Sequence, residues 1–141
     1  MTEARYELRP IGWVESPLRR RDEAPRQGDE GAPSAWLMLK PDVREGIRDL
    51  VVGTEVILLT WLDRARRDVL AVHPRGDENR PVCGVFSTRS ADRPNPIGLH
   101  IVEIVERSAV ADTRLRVRNL EALDGTPILD IKPLLGPVED R

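Results

Sequence analysis

Short apolar segments separated by turn-forming residues are the feature that most constrains the fold of this 141-residue chain. Eight segments carry alternating or continuous apolar residues, and glycine, proline or aspartate separates them. This pattern is typical of β-strands. Segment 55–62 is apolar on both faces, which predicts a central strand. The predicted strands are residues 6–16, 35–40, 55–62, 68–73, 82–87, 97–105, 113–118 and 126–131.

One segment, residues 41–50, favours a helix. Pro41 suits a first helical turn, and Val43, Ile47 and Leu50 fall on one stripe. Strands this dense, with one short helix, predict a mainly β fold, either an antiparallel barrel or a sandwich. The length predicts a single domain over residues 1–141.

Composition narrows the cellular setting. The chain is 40% hydrophobic and 33% charged, as soluble globular proteins are, and no apolar run is long enough to cross a bilayer. The N-terminus lacks the apolar stretch of a signal peptide, and Cys83 is the one cysteine. We therefore expect a cytoplasmic protein without an internal disulfide or a membrane partner. The two histidines and the cysteine are widely spaced, so no metal site is predicted.

The charge balance leaves the class of partner open. The formal net charge is −2, which is not typical of a nucleic-acid-binding protein. Lysine occurs only at Lys40 and Lys132, so 20 of the 22 basic residues are arginine, whose planar guanidinium suits phosphates and carboxylates. Arginines cluster at 19–21, 64–67 and 114–118, which would allow a locally basic face.

Residues 84–98 form a polar segment restrained by proline. Pro94 and Pro96 fix φ and keep the preceding residues out of the helical region. No large apolar side chain lies between 87 and 96. A stiff, arginine-bearing loop suits a polar or anionic ligand, although a solvated turn is the alternative. The polar side chains that it would project are Arg89, Arg93 and Asn95.

Two further segments carry polar residues that could contribute to a binding site. Asp124-Gly125 predicts a tight turn, after which Asp130 and Lys132 share one face of a strand. That pair is either a surface ion pair or part of a pocket. The charged stretch 17–33 contains Pro25-Arg26-Gln27 and is either disordered or a functional lid.

Several common site motifs do not occur. The chain contains no Gly-x-Gly-x-x-Gly, no P-loop and no Gly-x-Ser-x-Gly, so nothing in it predicts dinucleotide, P-loop or serine-hydrolase chemistry. His73 and His100 lie in predicted strands and are expected to be ordinary strand residues.

Taken together, three motifs resemble the TsaA-like, or TrmO-like, family of S-adenosylmethionine-dependent methyltransferases. Ile11-Gly12 and Ser16-Pro17 followed by Pro-Arg-Gln at 25–27 match its N-terminal pattern. Residues 84–98, Gly-Val-Phe-Ser-Thr-Arg-Ser-Ala-Asp-Arg-Pro-Asn-Pro-Ile-Gly, match its most specific motif. Residues 124–133, Asp-Gly-Thr-Pro-Ile-Leu-Asp-Ile-Lys-Pro, match the last. The agreement extends from about residue 10 to residue 137.

The resemblance implies a small antiparallel β-barrel in place of a Rossmann-like sheet. It also implies a homodimer that binds S-adenosylmethionine near the subunit junction. Its reaction would be methylation of the exocyclic nitrogen of threonylcarbamoyl-adenosine beside the anticodon of tRNA. The implied cofactor contacts are Pro25, Arg26, Gln27, Asp63, Arg64, Arg89, Leu99, Leu123, Asp124, Gly125 and Thr126.

Two hypotheses add to this set. Arg93 and Asn95, held by the flanking prolines, are candidate substrate contacts. Removing a proton from a poorly nucleophilic nitrogen requires help, and Asp130 with Lys132 is the hypothesised catalytic pair.

The chain departs from the family pattern at three points. Asp63 and Arg64 stand where histidine and glutamine are usual, and His100 stands where serine is common. The additional C-terminal domain of many tRNA-acting members does not follow the matching residues. Two alternatives therefore stay open: a methyltransferase for another, small-molecule acceptor, and a non-catalytic module that binds S-adenosylmethionine.

Overall fold

The strand series is confirmed in a computed structural model, which describes residues 3–136. Residues 1–2 and 137–141 of the predicted domain lie outside the described part. Each predicted segment coincides with one strand. The first, fourth and fifth strands are shorter than predicted, and the sixth and eighth end two residues later than predicted. The strands are β1 (Gly12–Glu15), β2 (Ala35–Leu39), β3 (Glu55–Trp61), β4 (Ala71–Val72), β5 (Cys83–Gly84), β6 (Ile97–Arg107), β7 (Arg114–Arg118) and β8 (Pro127–Pro133).

Six of these strands close into an antiparallel barrel in the order β1-β2-β7-β6-β3-β8. β1 pairs with β8, Gly12 opposite Ile128, and this contact joins the two ends of the sheet. The remaining strands, β4 and β5, pair only with each other. The mainly β, barrel-type, non-Rossmann fold is therefore confirmed.

The barrel interior is apolar because alternate residues of each strand point inward. In β7, Leu115 and Val117 are buried, while the arginines at 114, 116 and 118 are more exposed. β3 lies between β6 and β8, as its continuous apolar pattern predicts. The largest fully buried aliphatic residues are Val14, Leu37, Leu58, Val85, Val102, Ile104, Leu115, Val117, Leu120 and Ile128.

The helical segment that sequence predicts at 41–50 is a 3₁₀ helix over Pro41–Ile47. Ile47 is buried against the core, and Val43 and Leu50 pack partly against it. Between residues 3 and 136, four further 3₁₀ turns of three residues occupy loops: Arg21–Glu23, Gly28–Glu30, Pro74–Gly76 and Val85–Ser87.

An irregularity in the β3–β8 pairing determines which face of the barrel carries Asp130 and Lys132. Leu59 lies opposite Asp130, whereas Thr60 lies opposite Ile128, so β8 carries an extra residue between them. Asp130 therefore shares the outer face with Leu59. Its Oδ2 lies 3.2 Å from Nζ of Lys132, in an exposed ion pair.

Candidate functional site

A cavity of about 1150 Å³ opens at the end of the barrel where β3 ends and β6 begins. Its volume exceeds the roughly 300–1000 Å³ typical of sites for one small ligand, so it has room for a cofactor together with an acceptor group. We call it the barrel-mouth cavity. Six chain segments supply most of its lining: residues 24–27, 62–65, 72–76, 86–93, 97–100 and 121–123.

The loop between β5 and β6 is held in place by hydrogen bonds from two arginines as well as by its prolines. Arg93 donates to the carbonyl oxygens of Val85 and Ser90, both at 2.9 Å, and to that of Thr88 at 3.1 Å. Thus Arg93, a predicted substrate contact, lines the cavity while its guanidinium is engaged within its own loop.

Arg67 braces the other end of this loop. It donates from Nε to the carbonyl oxygen of Pro94 at 2.7 Å and from Nη2 to Oδ1 of Asn95 at 2.8 Å. Its guanidinium also lies 5.1 Å from the ring centroid of Trp61, a cation–π distance. Asn95, the other predicted substrate contact, lines the cavity with its carbonyl oxygen engaged in this way.

Two cavity arginines have uncommitted guanidinium groups. Arg26 and Arg89 line the barrel-mouth cavity and are exposed. Neither guanidinium has a hydrogen-bond or ion-pair partner among residues 3–136. They therefore supply unneutralised positive charge for a carboxylate or phosphate of a ligand.

The charged stretch 17–33 lies against the cavity. Its Pro25, Arg26 and Gln27 form part of the lining. Glu30 accepts two hydrogen bonds from Nη2 of Arg75, at 2.6 and 2.8 Å, across the cavity rim. Arg75 has a positive φ of 56°, an uncommon backbone conformation for a residue other than glycine.

The predicted turn at 123–126 separates two cavities. Gly125 has φ 82°, and Oδ1 of Asp124 accepts a hydrogen bond from the backbone N–H of Ser16 at 3.0 Å. Leu123 and Thr126 line the barrel-mouth cavity. Asp124 and Gly125 instead line a second cavity of about 680 Å³, next to Trp13 and other residues.

Of the remaining predicted site residues, some line the barrel-mouth cavity and others do not. Asp63, Arg64 and Leu99 line the barrel-mouth cavity, and Nη2 of Arg64 donates to the carbonyl oxygen of Asp124 at 3.3 Å. Asp130 and Lys132 are not part of the lining, because the irregularity in β8 turns them to the outside of the barrel. Their predicted catalytic role stays a prediction.

A buried polar network at the floor of the cavity was not predicted. Nε2 of His100 lies 2.7 Å from Oγ1 of Thr60, and its Nδ1 lies 2.6 Å from Oε1 of Glu121. His100 is a strand residue, as predicted, but its side chain is only 3% exposed. The only sequence feature that pointed to this network was His100 itself, which stands where the family commonly has serine.

The outer face of the barrel beside the cavity is apolar. Three cross-strand pairs of β3 and β6 form it: Ile57 with Ile101, Leu59 with Leu99, and Trp61 with Ile97. The three β6 residues are 39–45% exposed. Leu99 also lines the barrel-mouth cavity, so the apolar face and the cavity are continuous.

Surface charge near the rim is partly paired. Arg66 donates hydrogen bonds to both carboxylate oxygens of Asp68, and these bonds lower the pKa of Asp68 below its usual value. Within residues 3–136, no group of three or more His, Cys, Asp or Glu side chains is arranged to hold a metal ion. The same residues contain no helix long and apolar enough to span a membrane.

A closed antiparallel barrel with an arginine-lined cavity at its mouth defines a β-barrel ligand-binding domain, unlike the parallel sheets of nucleotide-binding folds. The sequence model of the tRNA-methyltransferase O N-terminal domain matches residues 13–139. The chain therefore belongs to the TrmO family, as the motifs predicted.

Similar proteins agree with this assignment. A "Probable S-adenosyl-L-methionine-binding protein" from Methanothermobacter thermautotrophicus is 41% identical over 99% of this chain and 97% of its own length. An "S-adenosyl-L-methionine-binding protein" from Archaeoglobus fulgidus is 44% identical over 89% of this chain and 86% of its own. A crystal structure of TrmO from Pseudomonas aeruginosa has a TM-score of 0.71 and 30% identity, over 94% of this chain and 57% of that one.

The chain matches other relatives over only part of their length. A further "Probable S-adenosyl-L-methionine-binding protein" from A. fulgidus is 41% identical over 94% of this chain, which spans 35% of that relative. Another TrmO crystal structure has a TM-score of 0.74, and this chain covers 57% of its length. The chain thus corresponds to one portion of these longer proteins.

Proposed function

We propose that this chain is an S-adenosylmethionine-dependent methyltransferase that binds its cofactor in the barrel-mouth cavity. One observation carries the proposal: motifs from distant parts of the chain, at 25–27, 63–64, 89–99 and 123–126, contribute to one cavity. Family membership and the names of the relatives support the same cofactor.

The side chains in the cavity fit the chemistry of this cofactor. The uncommitted guanidinium groups of Arg26 and Arg89 suit its carboxylate. The carboxylate of Asp63 suits its cationic groups or its ribose hydroxyls. Leu99 and the exposed Phe86 offer apolar surface for its adenine ring. All eleven predicted cofactor contacts except Asp124 and Gly125 line this cavity.

S-adenosylmethionine would supply an activated methyl group, whose displacement needs no acid to assist the leaving thioether. The chain's contribution is then mostly the positioning of two partners, which can account for about 7–11 kcal/mol of a reaction barrier. The loop held by Arg67 and Arg93 is suited to that task because its polar backbone is fixed before ligands arrive.

The proposed acceptor is the exocyclic nitrogen of threonylcarbamoyl-adenosine in tRNA, and tRNA is the proposed partner. The support is the family and the arginines on the cavity rim, among them Arg21 and Arg64. A small-molecule acceptor is the second candidate, because the net charge of −2 argues against an extensive phosphate-binding surface.

We further propose that the chain acts as a cytoplasmic homodimer. The apolar outer face of β3 and β6 continues into the cavity through Leu99, and burying it would stabilise association. Asp130 lies opposite Leu59 on that face, so such a dimer would bring Asp130 and Lys132 towards the subunit junction. Their hypothesised part in the reaction depends on this arrangement.

Methyl transfer from isotope-labelled S-adenosylmethionine tests the acceptor. The substrates are tRNA with and without the threonylcarbamoyl modification, followed by mass spectrometry of the nucleosides. We expect label only on the modified adenosine, and tRNA affinity that falls steeply with salt because phosphate contacts release counterions. Cofactor binding without transfer to either tRNA would shift the proposal to a small-molecule acceptor.

A further inference from the structure

A carboxylate, an imidazole and a hydroxyl form a hydrogen-bonded chain at the floor of the barrel-mouth cavity. Glu121 Oε1 lies 2.6 Å from His100 Nδ1, and His100 Nε2 lies 2.7 Å from Thr60 Oγ1. The three residues come from the segment before β8, from β6 and from β3. The network is therefore built from elements that the barrel itself fixes.

The position of Gly98 shows that this network fills its space. A Cβ at Gly98 would stand 2.4 Å from Thr60 Oγ1 and 2.7 Å from His100 Nε2, closer than real Cβ contacts allow. Gly98 also lines the cavity, next to His100. The network therefore leaves no room for a side chain at position 98, and Nδ1 of His100 faces Glu121.

Glu121 is the member of the network that faces the ligand space. Its side chain is 16% exposed, whereas that of His100 is 3% exposed, and both residues line the cavity. Oε1 is engaged by His100, while Oε2 has no hydrogen bond to the residues between 3 and 136. Every fully buried polar side-chain atom of these residues has a partner, so Oε2 is not fully buried. It lies beside Gly28, where an added Cβ would be 3.0 Å from it.

We propose that Glu121 is the proton acceptor of the methyl transfer, with His100 as its positioning residue; this rests on the proposed methyltransferase function. As the acceptor nitrogen forms its bond to the methyl carbon, the carbon–sulfur bond breaks and its electron pair passes to sulfur. The nitrogen's proton passes to Oε2 of Glu121. The sulfonium becomes a neutral thioether, the carboxylate a carboxylic acid, and the methylated nitrogen is neutral.

Three other carboxylates line the cavity, and none of them is hydrogen-bonded to a histidine as Glu121 is: Asp63, Glu78 and Asp92. Glu78 is exposed and has no hydrogen-bond or ion-pair partner within residues 3–136, so no contact there orients its carboxylate. Asp92 Oδ1 already accepts the backbone N–H of Arg66 at 2.9 Å and lies 3.2 Å from Arg21 Nη1. Asp130 lies outside the cavity, paired with Lys132. Asp63 lines the cavity, but it belongs to the motif that the resemblance assigns to the cofactor, so Asp63→Asn is expected to weaken cofactor binding.

Glu121→Gln separates proton transfer from binding. Two quantities are measured: the dissociation constant of S-adenosylmethionine by calorimetry, and the single-turnover rate of transfer to threonylcarbamoyl-modified tRNA at saturating cofactor. We expect the dissociation constant to stay within about 3-fold and the rate to fall by about 100-fold or more, the usual contribution of a positioned base. Glu121→Asp should recover part of the rate.

Two further variants accompany Glu121→Gln: one tests the positioning role of His100, and one at a distant glutamate is the control. His100→Gln should lower kcat with little change in KM, because the imidazole acts through Glu121. Glu106→Gln, which removes an exposed ion-pair partner of Arg116, should match the unsubstituted chain in rate and binding. Thermal unfolding of each variant establishes that it is folded.

Three results would overturn the inference. A Glu121→Gln variant that transfers at the full single-turnover rate would leave the methyltransferase function standing without this proton acceptor. A raised dissociation constant with an unchanged saturated rate would make Glu121 a cofactor ligand instead. Absence of transfer by the unsubstituted chain to this tRNA would remove the proposed reaction and this step together.

Discussion

Arg93 Nη2 lies 2.9 Å from the carbonyl oxygen of Val85, eight residues earlier in the chain. This hydrogen bond closes the loop between β5 and β6 on itself, and the same guanidinium also binds the carbonyls of Thr88 and Ser90. The most distinctive motif of the sequence therefore includes an arginine whose guanidinium hydrogen bonds all lie within the loop itself.

Arg93→Lys should loosen the loop, because an ammonium cannot reach three carbonyl oxygens in a plane. We expect a loss of about 1–3 kcal/mol in the free energy of unfolding, measured with urea, from the unsatisfied carbonyls. Cofactor affinity should fall as well. Arg114→Lys is the control, since its guanidinium has no partner among the described residues; equal stability of the two variants would contradict this account.

Gly98→Ala should disrupt the floor of the cavity. Its Cβ would overlap Thr60 Oγ1 and His100 Nε2, and such overpacking costs about 1–3 kcal/mol. Gly46→Ala is the matched control, because a Cβ there meets no atom within 4 Å, and it should be neutral or slightly stabilising. Thermal unfolding compares the two, and a Gly98→Ala variant as stable as the control would show that the floor can rearrange.

Arg26→Ala and Arg89→Ala should affect binding without affecting folding. Their guanidinium groups have no partner in the described part of the chain, so the free energy of unfolding should change by less than about 0.5 kcal/mol. Loss of a hydrogen bond to a charged ligand costs about 1.5–3 kcal/mol, which corresponds to roughly 10- to 150-fold in the dissociation constant. Destabilised variants that bind normally would argue for a structural role.

Ile101→Glu should convert the proposed dimer into a monomer. Ile101 is 45% exposed at the end of the apolar outer face that lies away from the cavity, opposite Ile57. A carboxylate there would be desolvated on association. Light scattering after size-exclusion chromatography measures the mass. Val110→Glu, at a 97% exposed turn position, is the control, and a monomeric unsubstituted chain would contradict the proposed dimer.

The strands could be predicted from sequence because alternation is a local property. The closure of the barrel could not, since the pairing of Gly12 with Ile128 joins residues far apart in the chain. That Asp130 and Lys132 share a face was also predictable. Their outward direction was not, because it depends on the irregular pairing beside Leu59 and Thr60.

In the candidate site, too, local features could be predicted from the sequence and long-range contacts could not. Cavity-lining segments that are contiguous motifs, such as 25–27 and the loop at 85–96, could be located through their resemblance to the family pattern. The link between His100 and Glu121 could not, because it joins residues 21 positions apart through the shape of the barrel mouth. Arg67, which braces the loop across 28 residues, has no sequence signal that distinguishes it from neighbouring arginines.

Calorimetric titration of S-adenosylmethionine into the unsubstituted chain and into an Arg26→Ala, Arg89→Ala double variant tests the central claim most directly. The account predicts one cofactor per chain and a large loss of affinity in the double variant, with both proteins equally stable. Absence of binding to the unsubstituted chain, or equal affinity of the two proteins, would contradict the assignment of the barrel-mouth cavity as the cofactor site.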